Sequence, residues 1–444
     1  MLRRDRAGAR AIAPRPSPLA RLPIYYGWVI VAVVFVSMAV GVNARTAFSL
    51  FFPPILDEFG WERGVTAGAF SFGFIVAAVL SPSLGWLMDR HGPRLVMLIG
   101  AASMAAGLLL ATLVSQPWQL YATLGVLVGG GSICLGYTGY SLFLPNWFVR
   151  RRGLAISLAF AGVGAGSIVL LPWLQLLIEA DGWRQACWAM GVLVVVVVAP
   201  LNLLLRKRPE DLGLSADGEP PAGNGAARRP AAVIADPAWV AIDWTLARAI
   251  RTRRFWWVAV GYFFALYIWY AVQVHQTRYL VEIGFDAHAA AWALGLVSLV
   301  AVPGQIGLGY LSDRVGREWV WSAACFGFAL CYLALIALQH WPGPALLYFM
   351  IATQGALGYG MTSVMGAIAM EIFQGPHFGR IMGSLMLASI GGGAAGPWLT
   401  GLLYDATGSY AIAFCIAIAA SAVSAAAMWL AAPRKVRPVA GGVL

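Results

Sequence analysis

Arg45 has the clearest capacity for chemistry in this 444-residue chain. It stands about 20 residues into an apolar run that opens at Tyr25, far enough along a helix to lie in the far half of a bilayer. A guanidinium there has two uses: it offers a planar fork to a carboxylate, or it snorkels to the headgroups beyond the run. A second set of side chains in other apolar runs can hydrogen-bond or stack on a bound anion: Tyr137, Tyr140, Tyr267, Tyr270, Gln273, His275, Gln305, Gln354 and Tyr359. Tyr267, Tyr270 and Gln273, at i, i+3 and i+6, are expected to share one helical stripe. Taken singly, each of these reads more readily as packing or as an aromatic at a membrane interface than as a binding group, and it is their concentration that points to a site. His91 and His377 lie by turns while His288 and His340 lie at run ends, which leaves His275, of the five histidines, as the one placed to carry a proton. Its alternative is a polar residue at the end of its run.

Other chemistries are excluded. All 19 carboxylates fall in tails, turns or near run ends, so none is placed for acid–base catalysis at mid-membrane. The five cysteines (Cys134, Cys187, Cys325, Cys331, Cys415) sit in apolar stretches without CxxC or histidine partners at zinc spacing. Neither a catalytic residue, a metal site nor a cofactor is expected. The glycine runs Gly129–Gly131, Gly162/Gly164/Gly166 and Gly391–Gly393/Gly396 have no GK[ST] after them, which removes ATP binding and leaves close helix approach.

The elements that must position Arg45 follow from composition. Apolar residues make up 60% of the chain and charged ones 11%, against roughly 25% charged in soluble domains. Runs of about 20 apolar residues cross a ~30 Å hydrocarbon core, and only helices satisfy their own backbone over that length. Twelve spans are predicted near 25–50, 64–88, 95–115, 118–147, 153–178, 184–205, 254–280, 288–312, 319–339, 344–370, 381–404 and 410–432. The first 23 residues are basic and Pro-rich, and the run after them is too long for a signal segment, so it reads as a retained first span. Assigned to alternate ends, 26 of the 30 Lys and Arg fall on one side, leaving Arg45, Arg63, Arg184 and Arg278. The positive-inside rule then puts both termini in the cytoplasm, and the net charge of +11 reflects orientation in a membrane rather than nucleic-acid binding.

The polar, Pro/Gly-rich stretch 206–253 divides the chain into an N-terminal tail (1–23), a six-helix bundle (24–205), this linker, a second bundle (254–432) and a C-terminal tail (433–444). The halves repeat one another. Glu58/Glu282, Gly60/Gly284, Gly85/Gly309, Asp89/Asp313, Arg90/Arg314 and Gly92/Gly316 are each 224 residues apart, and RGLAISLAFAGVGAG finds a weaker echo in GRIMGSLMLASIGGG. The fold class expected is an all-α membrane protein of two pseudo-symmetric six-helix bundles.

The pattern G-x-x-x-D-R-x-G-x-R at Gly85–Arg94, with its partial copy at Gly309, Asp313 and Arg314, resembles the signature of the major facilitator superfamily across residues 24–432. FFPPILDEFGWER, WFVRRRGLA, ADGWRQA and RPEDLGL resemble the bacterial relatives of monocarboxylate transporters and oxalate/formate antiporters. The resemblance implies a latch between the halves. Gly85 would pack closely on a neighbour, Asp89 would accept from a helix N-terminus, and Arg90 and Arg94 would pair with carboxylates or lipid phosphates. It also implies a substrate cation at the position of Arg45. In departure from relatives, Val302 precedes Pro303 where an Arg is common, Ser298 stands where an Asp is common, and Gly383–Tyr404 holds no basic residue. Dicarboxylate exchange is therefore disfavoured, and one carboxylate with an apolar or aromatic remainder fits better.

These readings converge on a transporter of a small organic anion, expected in a bacterial inner membrane, acting as a monomer and alternating access between the two sides. Its partners would be that anion, lipid and, in proton symport through His275, protons. The rivals are a carrier of drug-like or neutral solutes on the same fold, a membrane-embedded enzyme, for which no acid, base or metal cluster is found, and a receptor, for which the linker is too short and polar.

Overall fold

The computed structural model describes residues 25–148, 152–215, 236–375 and 377–436. The terminal tails, the middle of the linker, Val149, Arg150, Arg151 and Pro376 lie outside them. The described residues form helices and turns, without strands. Ten helical stretches are long and apolar enough to cross a membrane. One of these, Leu158–Asn202, is about twice the length of a span, and it bends at Gly182 (φ 84°) into two. With Phe378–Thr407, this makes twelve: α1 Tyr26–Phe59, α2 63–91, α3 93–111, α4 Pro117–Ser141, α5 152–181, α6 183–202, α7 Arg253–Glu282, α8 Ala287–Val315, α9 Arg317–Leu338, α10 Pro344–Phe373, α11 Phe378–Thr407 and α12 Ala411–Ala431.

The repeat has a backbone cause. Gly92 ends α2 at φ 76° and its partner Gly316 ends α8 at φ 106°, a region costly for any residue with a Cβ, so each half turns at the same point. Large apolar side chains such as Val79, Val169, Val196 and Phe326 remain exposed on the outer faces, as a lipid solvent requires. Inside, buried side chains form two cores. One runs from Tyr26 to Leu212 and takes in Val274, Ala291 and Leu294; the other runs from Trp244 to Ala431.

Glycines let backbones touch where lipid supplies no hydrophobic drive between helices. A Cβ on Gly129 of α4 would fall 2.6 Å from the Cα of Gly73 on α2. The halves meet along α5 with α8 and along α2 with α11. Between the first pair the Ser167 hydroxyl donates to Gly295 O at 3.1 Å.

The two ends of the bundle are told apart by their contacts. Tyr26 donates to Leu204 O (2.8 Å), Arg94 Nε to Leu205 O (3.0 Å) and Asp236 N to Val436 O (3.4 Å), which puts the first and last described residues on one side with the described ends of the linker. This is the linker side; the opposite end is the far side.

Candidate substrate-binding cavity

A cavity of about 1420 Å³ lies between the halves, lined from α1, α2, α4, α5, α7, α8, α10 and α11. It reaches the linker side, where Leu246 of the linker and Arg380 of α11 stand at its edge. Its wall is mostly apolar and aromatic, and Arg45 and Arg380 are the charged side chains among its described lining.

Arg45 enters this cavity from α1, just before the helix turns at Ala47. Its guanidinium carbon lies 3.9 Å from the ring centre of Phe74, 4.9 Å from Phe70 and 5.7 Å from Tyr270. Phe70 and Phe74 are one turn apart on α2 and meet edge to face, so both rings present to the cation. Among the described residues no carboxylate pairs with Arg45, and its buried Nη2 has no hydrogen-bond partner. A desolvated cation–π contact contributes up to about 2 kcal/mol, while taking an ion out of water costs several kcal/mol. The rings hold Arg45 in place but do not neutralise it.

The other three arginines left over by the positive-inside count all find carboxylates on the far side. Arg184 Nη1 bonds Glu58 at 2.6 Å within the N-terminal half. Arg278 of α7 bonds Asp57 of α1 at 2.7 Å and Glu282 at 3.0 Å. Arg63, at the start of α2, makes a two-pronged pair with Glu282 of α7, donates to the Tyr410 hydroxyl at 2.7 Å and lies 3.4 Å from the Tyr404 ring centre. Asp405 at the end of α11 accepts from the backbone N–H of Arg63 (2.9 Å) and Gly64 (2.6 Å), so one half caps a helix of the other. Below these, Ser49 meets Thr277 at 2.9 Å. The far side is closed across the halves.

The sequence model of the Major Facilitator Superfamily matches residues 29–363 and 260–443, together nearly the whole chain. The chain belongs to the Major Facilitator Superfamily. Within it, the sequence is 27% identical to human monocarboxylate transporter 11 over 419 residues, spanning 91% of this chain and 82% of that protein. It is 28% identical to rat monocarboxylate transporter 13 over 418 residues, spanning 88% and 86%. Its fold is similar to the inward-facing, occupied bacterial homologue of the human lysosomal transporter Spinster (TM-score 0.64, 16% identity, 92% of this chain and 97% of that one). The nucleoside transporter NupG gives a TM-score of 0.69 at 13% identity, covering 91% and 99%.

In this superfamily member, Arg45, Tyr137, Tyr270, Gln273, Gln305 and Tyr359 line one cavity. Four other residues expected there stand elsewhere. Tyr140 is sealed in the N-terminal core with its hydroxyl 3.4 Å from Asn202 Oδ1, and Gln354 is sealed in the C-terminal core beside Cys331. Tyr267 is buried on the face of α7 that meets Gly396 of α11. Steps of three residues drift by about 60° per step on a helix, so the stripe at 267, 270 and 273 turns away from the cavity at its start. His275 lies about 200° round the helix from Gln273. Its Nε2 donates to Pro397 O (2.9 Å), which fixes the tautomer and leaves Nδ1 to accept from Tyr410 (3.1 Å). It belongs to the far-side seal rather than to the cavity.

The signature residues sit at the open end. A Cβ on Gly85 would meet nothing within 4 Å, so the close packing expected of it is not made here, because the halves stand apart at that level. Gly309 borders the cavity and would meet only Ser363 of its own half. Arg90 rests over Trp86, Arg94 bonds Leu205 O and Arg314 meets Tyr310, all within their own halves. The side chains of Asp89 and Asp313 lie outside the described part of the structure. Phe70 and Phe74 went unremarked as site residues because apolar rings look like packing; the i, i+4 pair of phenylalanines facing the run that holds Arg45 was the available signal.

Proposed function

We propose that this chain is a secondary transporter of small organic monoanions, chiefly monocarboxylates, working by alternating access. The observation that carries this is Arg45: four arginines escape the basic side, three are neutralised, and the fourth is held bare against aromatic rings in the central cavity. A carboxylate would take the unpartnered Nη2 and supply the missing charge. The names of the relatives support the same substrate class. With the linker side assigned to the cytoplasm by the positive-inside rule, the cavity opens inward and the Arg63 cluster is the closed outer gate. Neither a carboxylate nor a histidine lines the cavity among the described residues, so anion and proton share no site there, and facilitated diffusion or exchange is the mechanism we favour over symport through His275.

The test is uptake into vesicles reconstituted with the full chain, over a panel of carboxylates, sugars and cationic drugs, with and without a pH gradient. Carboxylate uptake is expected, with Arg45→Ala reducing affinity at least tenfold and Arg45→Lys keeping part of it, since an ammonium retains the charge but not the fork. Transport of a neutral sugar with refusal of every carboxylate overturns the proposal.

A further inference from the structure

The cavity holds more unmet polarity than one carboxylate can satisfy. Gln273 of α7 is 8% exposed and Tyr359 of α10 is 5% exposed, and the Gln273 Oε1 and the Tyr359 hydroxyl are both sealed without a hydrogen-bond partner. Both line the same cavity as Arg45, yet they come from the C-terminal half while Arg45 comes from the other. The space between them is bridged by rings. Tyr270, one turn before Gln273, lies 5.7 Å from the guanidinium carbon, and its neighbour Trp269 stacks on Tyr359 with ring centres 3.7 Å apart. Phe74 stands edge-on to Tyr270 at 4.5 Å. The result is a charged end, a flat aromatic middle and a neutral hydrogen-bonding end.

Resting on the proposal that Arg45 takes a carboxylate, we propose that Gln273 and Tyr359 form a second, specificity-determining subsite for an uncharged hydroxyl, and that the substrate is a flat, hydroxylated aromatic monocarboxylate. A buried polar group left unpaired is costly, so a ligand toward which both side chains can turn and pair is favoured over one that leaves them unpaired. A hydroxyl suits them because it donates and accepts, and so serves whichever way the Gln273 amide is turned. A second carboxylate finds no second cation at this depth, since Arg380 stands at the edge of the cavity. An ammonium group finds no carboxylate in the described lining, so the zwitterion of an amino acid is refused. Because the two ends are held by different halves, a ligand with both draws the halves together over it, and a ligand with one does not.

The experiment is equilibrium binding to the full-length protein in detergent, using matched probes: phenylacetate against 4-hydroxyphenylacetate, and 3-phenylpropanoate against 3-(4-hydroxyphenyl)propanoate, with tyrosine as the zwitterion. At least one hydroxylated probe is expected to bind about tenfold or more tightly than its partner. Tyr359→Phe, which keeps the ring and its stacking, and Gln273→Leu should each cut that preference to within about threefold. Arg45→Gln should weaken all probes together. Equal affinity within both pairs, with the dependence on Arg45 intact, overturns the second subsite and leaves the anion site standing. Affinity indifferent to Arg45→Gln overturns the anion site itself. Tyrosine binding as tightly as 3-(4-hydroxyphenyl)propanoate overturns the exclusion of a charged second group. A melting temperature unchanged in Tyr359→Phe separates lost preference from lost fold.

Discussion

The two ends of this bundle grow from one repeated sequence, and they treat the boundary between the halves in opposite ways. On the far side, Arg63, Arg278 and Asp405 reach across it, while on the linker side Arg90, Arg94 and Arg314 bond within their own halves and Gly85 faces open space. The repeat itself does not make the seal. Glu58 and Glu282 are equivalent positions, 224 residues apart, yet Glu58 is bound by Trp183 and Arg184 of its own half and Glu282 by Arg63 of the other. Two of the partners that cross have no counterpart, since Arg63 corresponds to Ala287 and Arg278 to Pro54, whereas Asp405 corresponds to Asp181. Duplication supplies two similar bundles, and departures from it at Arg63 and Arg278 supply the two arginines that cross at the closed end.

This contrast can be broken experimentally, with one readout for all variants: far-side reactivity of a cysteine placed at Thr46, beside Arg45. Arg63→Ala should have the largest effect, because it removes the bond to Tyr410, leaves the partly buried Glu282 with Arg278 of its own half alone and loses the contact with the Tyr404 ring; reactivity is expected to rise tenfold or more. No change would mean that the seal lies elsewhere. Asp405→Asn should come next. It keeps one acceptor for the α2 N-terminus but loses the charge facing the helix dipole, an effect of about 1 kcal/mol, or roughly a fivefold rise. His275→Gln should act more weakly still, raising reactivity about threefold and leaving substrate affinity within twofold, since His275 touches the seal alone; a tenfold loss of affinity would return it to the cavity. Asp89→Asn sharpens the other side of the comparison. It should leave far-side reactivity and equilibrium binding unchanged within twofold while slowing turnover, because its signature belongs to the end that is open here. Binding that falls in parallel with transport, in a folded protein, would remove the latch role.

Much of the fold was legible because it rests on local rules. Apolar run lengths marked the spans, and the repeat marked Gly92 and Gly316 as equivalent, two positions that both prove to need a positive φ. Arg45 was legible for a related reason: a charge in an apolar run is costly enough to need an explanation. Two kinds of information were not. The face a side chain presents depends on helix rotation: a stripe read at three-residue spacing placed Tyr267 with Gln273, and the choice of His275 among the histidines took no account of its face, when the helix turns both away from the cavity. Which carboxylate an arginine meets depends on where the other half sits, and neither Asp57 nor Glu282 advertises its partner in its own neighbourhood.

The cap that Asp405 places on α2 sets how the far side can part. When the halves separate, the N–H groups of Arg63 and Gly64 do not stay empty, since they lie at a helix end where solvent can reach them and take the place of the carboxylate. At this contact opening is therefore an exchange of one acceptor for another, unlike the tearing of a hydrophobic core, and the cap adds little to the depth of the well that holds the closed state. To invert a 99:1 preference for one state takes about 5.5 kcal/mol of differential affinity, so a shallow well is what lets a small molecule, with few atoms to offer, tip the whole protein.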